Sequence, residues 1–464
     1  MTTESETPRL DVSVLKKYDL PGPRYTSYPT AVEFHTGFTA GDYDARLREA
    51  NTRSHEPFSL YTHLPFCEAR CHFCACHVII SPDKGVGHPY LQHLFQEIEA
   101  VAERLPDRRE VSQFHWGGGT PTYFEAEDLV ELFRHYKRFF SFRPDAEIAL
   151  EVDPRVTSFF QLDKLAAEGF NRLSMGVQDF DPRVQEAINR VQSFEQTRDL
   201  MRHGRSLGMG SINIDLIYGL PHQTPQSFRA TLERALELAP DRVAVYSFAL
   251  VPWIKAHQKY LPVESLPDPE TKLELLAISR EAFTGAGYVA IGMDHFARPE
   301  DSLSVAQREG RLWRNFMGYT NLRANDILGF GVSAIGFVGG AFVQNVKKLS
   351  QYYEMISARE LPVERGYALS FDDLARQRVI QELMCNFIVH KREVEREFKL
   401  DFDAYFAADL ALLRPLIAEG LVEDTPESVQ AHGYGRLFVR NIAMQFDRHL
   451  REKRREKPTF SQTV

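Results

Sequence analysis

Residues 61–77 read YTHLPFCEARCHFCACH, which sets Cys67, Cys71 and Cys74 in a Cys-x3-Cys-x2-Cys pattern directly after a strand-like run. Four of the five cysteines fall between Cys67 and Cys76, and Cys385 stands alone far downstream. That distribution is not a disulfide framework; thiols gathered in one loop point to a metal or cluster in a reducing compartment. An iron-sulfur cube takes deprotonated thiolates and is closed by four of them. Three ligands leave one iron open, in the way a catalytic zinc keeps a position for substrate. Three other readings fit the same residues: a structural zinc held by Cys67, Cys71, Cys74 and either Cys76 or His77, a closed electron-transfer cluster on all four cysteines, or a set of merely buried thiols. His63, His72 and His77 are read as hydrogen-bonding groups rather than ligands.

Outward from this loop the chain alternates. β-Branched and aromatic runs recur at 58–65, 113–119, 147–153, 172–178, 211–219 and 242–250. Between them lie segments with helical apolar spacing, such as YLQHLFQEIEAVAERL, LVELFRHYKRFF and SFRATLERALELA. Strict alternation predicts an α/β fold with a parallel sheet and right-handed crossovers, and six strands fit a partial barrel. In such folds functional groups collect at the carboxyl ends of strands, where Cys67, Gly118, Glu151, Gln178, Asp215 and Ala249 fall. The run HWGGGTPTYF removes side chains at Gly117, Gly118 and Gly119, permitting close backbone approach beside the cysteine loop.

The ends of the chain differ in character. PGPRYTSYPTAVEFH near the start is dense in proline and aromatics and reads as an ordered irregular arm, residues 1–50. The alternating region takes residues 51–365, and residues 366–464 turn helical around 371–389, 402–422 and 436–450. A polar break, EDTPESVQAHGYG, separates the last two helices and gives this part a winged-helix look, whose alternative use is DNA contact by a zinc-stabilised regulator. The net charge of -9 opposes broad attraction to nucleic acid or anionic lipid, and the tail REKRREK reads as a solvated basic end. No apolar run approaches the ~18 residues of a membrane span, and MTTESETPRL lacks the basic and apolar regions of an export signal. A cytoplasmic monomer without nucleic-acid or membrane partners is therefore expected.

The motifs GPRYTSYPTA, HWGGGTPT, EVDPR, NRLSMGVQDF, NIDLIYGLP, GMDHFARP, AQREG, RNFMGYT, GVSAIG and MCNF, together with the cysteine loop, resemble the radical S-adenosylmethionine (SAM) superfamily. Within it they are similar, nearly end to end, to the oxygen-independent coproporphyrinogen III oxidases. The resemblance implies a partial (β/α)6 barrel with an N-terminal arm and a helical, winged-helix-like C-terminal domain closing over the site. It implies a [4Fe-4S] cluster on Cys67, Cys71 and Cys74 and two SAM molecules. The first would lie near Tyr61, Gly118, Glu151 and Ile335. The second would contact Phe73, Gly119, Thr120, Gln178, Arg190, Asp215 and Ala249.

The implied reaction is oxidative decarboxylation of two propionates of coproporphyrinogen III to vinyls, giving protoporphyrinogen IX in haem synthesis, with an unidentified electron donor and acceptor. Reductive cleavage of SAM would yield a 5'-deoxyadenosyl radical that abstracts hydrogen from the carbon β to a carboxylate. Guanidinium groups suit a substrate with four carboxylates, and Arg24, Arg308, Arg311 and Arg314 are candidates. A haem-trafficking chaperone on the same fold is the competing reading. Such relatives lack the YTSYPT arm and carry an aromatic where this chain has Cys76.

Overall fold

The structure is a computed structural model describing residues 16–452, 460 and 462; MTTESETPRL and most of the basic tail lie outside the described residues. The chain forms two compact units. The larger comprises Glu33–Leu266 and Leu322–Leu369. The smaller takes the described residues up to Val32, then Pro267–Asn321 and those from Ser370 onward. Residues 33–50, grouped with the arm on composition, thus pack in the larger unit, and Pro267–Asn321 pack with the C-terminal helices.

Strands of the larger unit are β1 (Phe58–Leu64), β2 (Glu110–Gly118), β3 (Ser141–Val152), β4 (Arg172–Gln178), β5 (Ser211–Tyr218), β6 (Arg242–Ser247), β7 (Ile327–Phe330), β8 (Ile335–Val338), β9 (Ala341–Asn345) and β10 (Val363–Ala368). Their order is β10-β9-β8-β7-β1-β2-β3-β4-β5-β6. The six expected strands are parallel and adjacent in chain order, as successive right-handed crossovers require. The order is linear, which makes the barrel partial. A seventh parallel strand, β7, lies against β1, and β8 to β10 extend the sheet antiparallel.

Both faces of the parallel strands are covered, so β1 reads as a nearly continuous buried run rather than an alternation. The covering helices are amphipathic. Gly87–Glu103 buries Tyr90, Leu91, Leu94, Phe95, Ile98, Val101 and Ala102 at three- and four-residue spacing. Helices Phe159–Glu168, Phe194–Ser206 and Pro225–Leu238 each open on a reciprocal cap, from Ser158, Ser193 and Thr224 respectively.

One polar group interrupts the apolar face of Gly87–Glu103. Glu97 is buried and accepts the Gly331 N–H at 2.7 Å, the Tyr352 hydroxyl at 2.7 Å and the Asn345 amide at 2.6 Å, which ties down the turn after β7. Burial pushes its carboxyl up to about 7 against the lowering effect of those three donors. Between its ordinary value and 7 the unfolded chain releases the proton while the folded chain keeps it, so this group's contribution to stability falls as pH rises, then levels off. The stability advantage of the parent over Glu97→Gln is therefore expected to shrink between about pH 4.5 and 7 by on the order of 3 kcal/mol. Urea midpoints measured across that range check it.

The smaller unit centres on helix Phe371–Asn386. Tyr18, Tyr25 and Tyr28 of the arm are buried in the same core as Val379, Leu383, Phe406 and Phe438. The arm is irregular but held: Tyr25 donates to Asp447 at 2.9 Å, and Gln377 donates to the Tyr28 carbonyl at 2.9 Å. The polar break is a hairpin, Val422–Asp424 against Ser428–Ala431, and Ile388–His390 adds a third strand. This small sheet supplies the wing of the expected winged-helix arrangement.

Candidate functional site at the carboxyl ends of the parallel strands

Just past β1, Phe66–Cys67 pairs in parallel with Ile79–Ile80, so the cysteine loop leaves and returns through a two-residue neck. Phe66 anchors that neck among the rings of Tyr90, Tyr123 and Phe124, with centroids 5.4 to 5.7 Å away. The loop is then docked along its length. The Asn189 amide donates to the Arg70 carbonyl at 2.9 Å, and His257 and Lys255 reach the carbonyls of Cys74 and Cys76 at 2.8 and 3.0 Å. Gln258 bridges the carbonyls of Phe73 and Ala249. His63 and His72 hydrogen-bond to the carbonyls of His77 and Ala187.

The triple glycine explains how β2 meets this loop. A Cβ at Gly119 would stand 2.6 Å from the Phe66 carbonyl oxygen and the Pro65 carbonyl carbon. Gly118 has φ +113° and leaves room for the His63 ring. The close approach at these two positions is made by the chain's own backbone and by a histidine.

A cavity of about 290 Å³ opens where the strands end. Cys67, Cys71, Phe73, Cys74, Gly118, Gly119, Thr120, Glu151, Gln178, Arg190 and Asp215 all line it, as does Cys76. Tyr61, Ala249 and Ile335 are not among its lining residues, but two of them are linked to lining residues through one intervening side chain. Tyr61 stacks on His115, 6.1 Å between centroids, and His115 lies 3.2 Å from Glu151; Ala249 is linked to Phe73 through Gln258. Ile335 begins β8, two strands from β1.

Glu151 accepts from His115 and from the Gly118 N–H at 3.3 Å; burial opposes its charge, yet these donors hold it below the usual carboxylate range. Asp215 is pushed up to about 7 by burial, with the Glu151 charge adding to the effect and the Asn213 amide opposing it. Burial takes His63 down to about 4, so it is neutral, donating from Nε2 to the His77 carbonyl and accepting the Tyr61 hydroxyl at Nδ1, 3.0 Å away. Gln178 ends β4 at φ +71°, beside a register shift against β5. A non-glycine residue held there costs roughly 1–3 kcal/mol and characteristically marks a working site.

The donor set suits an iron-sulfur cluster. Four cysteines line one cavity, Cys67, Cys71 and Cys74 with Cys76 beside them, and Cys71 Sγ receives Arg155 Nη2 at 3.5 Å and Arg190 Nη1 at 3.6 Å. Among the described residues no three His, Cys, Asp or Glu side chains converge as a single ion needs, whereas a cube spreads its ligands over several irons. Arg190 lines this cavity, and its Nε is buried with no hydrogen-bond partner.

Sequence profiles of known families match two stretches: the radical SAM superfamily over residues 61–235 and the HemN C-terminal domain over residues 369–438. The oxygen-independent coproporphyrinogen III oxidases of Salmonella typhimurium and Escherichia coli K12 are 48% and 47% identical to this chain, each over 96% of the chain and 96% of the relative. The chain belongs to this oxidase family. A solved structure of the family, coproporphyrinogen III oxidase (HemN) from Escherichia coli, described as a radical SAM enzyme, matches with a TM-score of 0.91 and 45% identity, covering 96% of this chain and 100% of that one. Membership in the oxidase family brings a [4Fe-4S] cluster and SAM.

Three participants escaped the sequence reading. His115 orients Glu151, Arg155 reaches Cys71, and Asp153 accepts from Arg155. The EVDPR run was visible, but nothing in it said that the guanidinium turns back toward the loop. Of the arginines considered for propionates, all belong to the smaller unit: Arg24 pairs with Asp294, Arg308 donates to the Pro299 carbonyl, Arg311 pairs with Glu309, and Arg314 lies 4.8 Å over the Tyr319 ring. Among the described residues no helix is long and apolar enough to cross a membrane.

Proposed function

We propose that this chain decarboxylates two propionate side chains of coproporphyrinogen III oxidatively to vinyl groups, giving protoporphyrinogen IX in haem synthesis, with Cys67, Cys71 and Cys74 holding the cluster. The observation that carries the reading is the convergence of those three thiols with Glu151, Gln178, Arg190 and Asp215 around one cavity at the strand ends, in a chain related along its full length to the oxidases. When bound, the cluster and SAM supply one-electron chemistry able to remove an unactivated hydrogen atom. Each vinyl then requires the loss of that hydrogen, one carbon dioxide and one electron, so a donor must reduce the cluster and an acceptor must take the electron released.

The residues divide between two SAM molecules. Glu151, held ionised by His115 and the Gly118 N–H, is a fixed acceptor for the ribose hydroxyls of the first, beside Tyr61, Gly118 and Ile335. Phe73, Gly119, Thr120, Gln178, Arg190, Asp215 and Ala249 serve the second. Arg190 offers its unpartnered Nε to a carboxylate, and Asp215, near its midpoint at neutral pH, accepts or holds a proton at a cationic group. The enzyme is read as a monomer working in the cytoplasm.

The test is anaerobic reconstitution with iron and sulfide, followed by SAM, a reductant and coproporphyrinogen III, with products separated by chromatography. 5'-Deoxyadenosine together with a divinyl porphyrin is the expected outcome; stable capture of haem without turnover would favour the chaperone reading. Glu151→Gln is expected to weaken SAM binding to the cluster-loaded protein roughly ten- to hundredfold, the worth of a hydrogen bond to a charged group, about 1.5–3 kcal/mol. Calorimetric titration with SAM measures it.

A further inference from the structure

Of the three thiols, Cys71 alone among the described residues receives cationic hydrogen-bond donors. Cys67 Sγ has the neutral Thr120 hydroxyl at 3.4 Å, and Cys74 has the Cys76 thiol. Arg155 and Arg190 approach Cys71 Sγ at 3.5 and 3.6 Å, and both guanidiniums share one carboxylate. Asp153 accepts from Arg155 Nη2 at 2.7 Å and Nε at 3.0 Å, and from Arg190 Nη1 at 2.8 Å. Its side chain is 9% exposed, that of Arg190 is 7% and that of Arg155 is 21%, so this charge is largely removed from water.

The local sequence fixes the arrangement. Asp153 follows the last residue of β3, and in the Asp153-Pro154-Arg155 turn its carbonyl accepts the N–H groups of Val156 and Thr157 while its side chain accepts the Arg155 N–H. The planar fork of Arg155 thereby spans carboxylate and sulfur at once through two nitrogens fixed in one plane, a geometry an ammonium lacks. Two positive charges face one negative charge, leaving a net cation against the buried Cys71 sulfur.

We propose that Arg155 is a positioning residue that raises the reduction potential of the cluster through its hydrogen bond to Cys71, making the cluster easier for a donor to reduce. This deepens the reading of Cys71 as a ligand and rests on it. Reduction adds one negative charge to the cluster, and charge-assisted donors at a ligand sulfur stabilise the more negative state. The low local dielectric strengthens the effect. Arg190 shares the geometry but is also assigned to SAM, so Arg155 is where tuning separates from cofactor binding.

The experiment is an EPR-monitored titration of the anaerobically reconstituted full-length protein with titanium(III) citrate, without SAM. In Arg155→Gln the ratio of reduced to oxidised cluster, read at the potential where the parent is half reduced, is expected to fall at least tenfold, a shift of about 59 mV or more to the negative for one electron. Arg155→Lys is expected to lie between the two, keeping the charge and losing the fork. Iron and sulfide contents should match the parent in both. A Gln variant that titrates at the parent's potential overturns the proposal. So does loss of the four irons from both variants with unchanged circular dichroism, since Arg155 would then serve assembly and not potential. A parent that fails to take up iron at all is a separate result, and it strikes the reading of the cysteine loop instead.

Discussion

Alanine at Cys71 is expected to abolish vinyl formation and to empty the site of iron, with a loss far beyond the ~10- to 100-fold that an outer partner of a metal site contributes. Cys67→Ala and Cys74→Ala should behave alike. Cys76→Ala, by contrast, is expected to keep four irons per chain, because an open cube uses three thiolates. Cys76 provides a sharp control: it lines the same cavity and touches the Cys74 thiol, so proximity alone does not distinguish it. Iron analysis and EPR of the four reconstituted variants decide the matter. Retention of iron in Cys71→Ala with its loss in Cys76→Ala would reassign the third ligand.

Asp326→Ala is expected to destabilise the larger unit by about 3–5 kcal/mol, the cost of stranding a buried charge. Asp326 immediately precedes β7 and is 2% exposed. Its carboxylate pairs with Arg108, itself 1% exposed, and with Arg53 at 2.6 Å, and accepts the Gly339 N–H at 2.8 Å. Its own carbonyl receives the Ser59 N–H at 3.0 Å, so the residue clamps the start of β1 to β7. Without it, Arg108 keeps carbonyl partners such as Glu56 but no counter-charge. Urea unfolding should show a lower midpoint at unchanged slope. A loss below about 1 kcal/mol would mean that Arg108 reaches water in the variant.

Arg53, Arg108 and Asp326 also illustrate a pairing that no local pattern discloses. Their separation along the chain is large, and each would pass for a surface charge in its own segment. The same holds for Glu97, which sits in a helix of ordinary amphipathic spacing and shows its role only when the turn at Gly331 is brought against it. The seventh parallel strand was missed for a related reason. Ile327–Phe330 is four residues long, contains Gly329, and becomes a strand by pairing with β1.

The six parallel strands and the cysteine loop were readable because both are local. Hydrophobic periodicity is imposed by burial on each strand or helix separately, and thiolate spacing is imposed by a cluster's size on one short loop. The division of the chain into units was not readable, since composition changes gradually while contacts do not. Pro267–Asn321 resembles the preceding alternation in makeup yet packs with the C-terminal helices. Local patterning thus sufficed for the strands and their ends, and the motifs for the family. The charge state of Asp215, the orienting of Glu151 by His115 and the two guanidiniums at Cys71 arise from groups distant in the chain meeting around one cavity, and only folding brings them there.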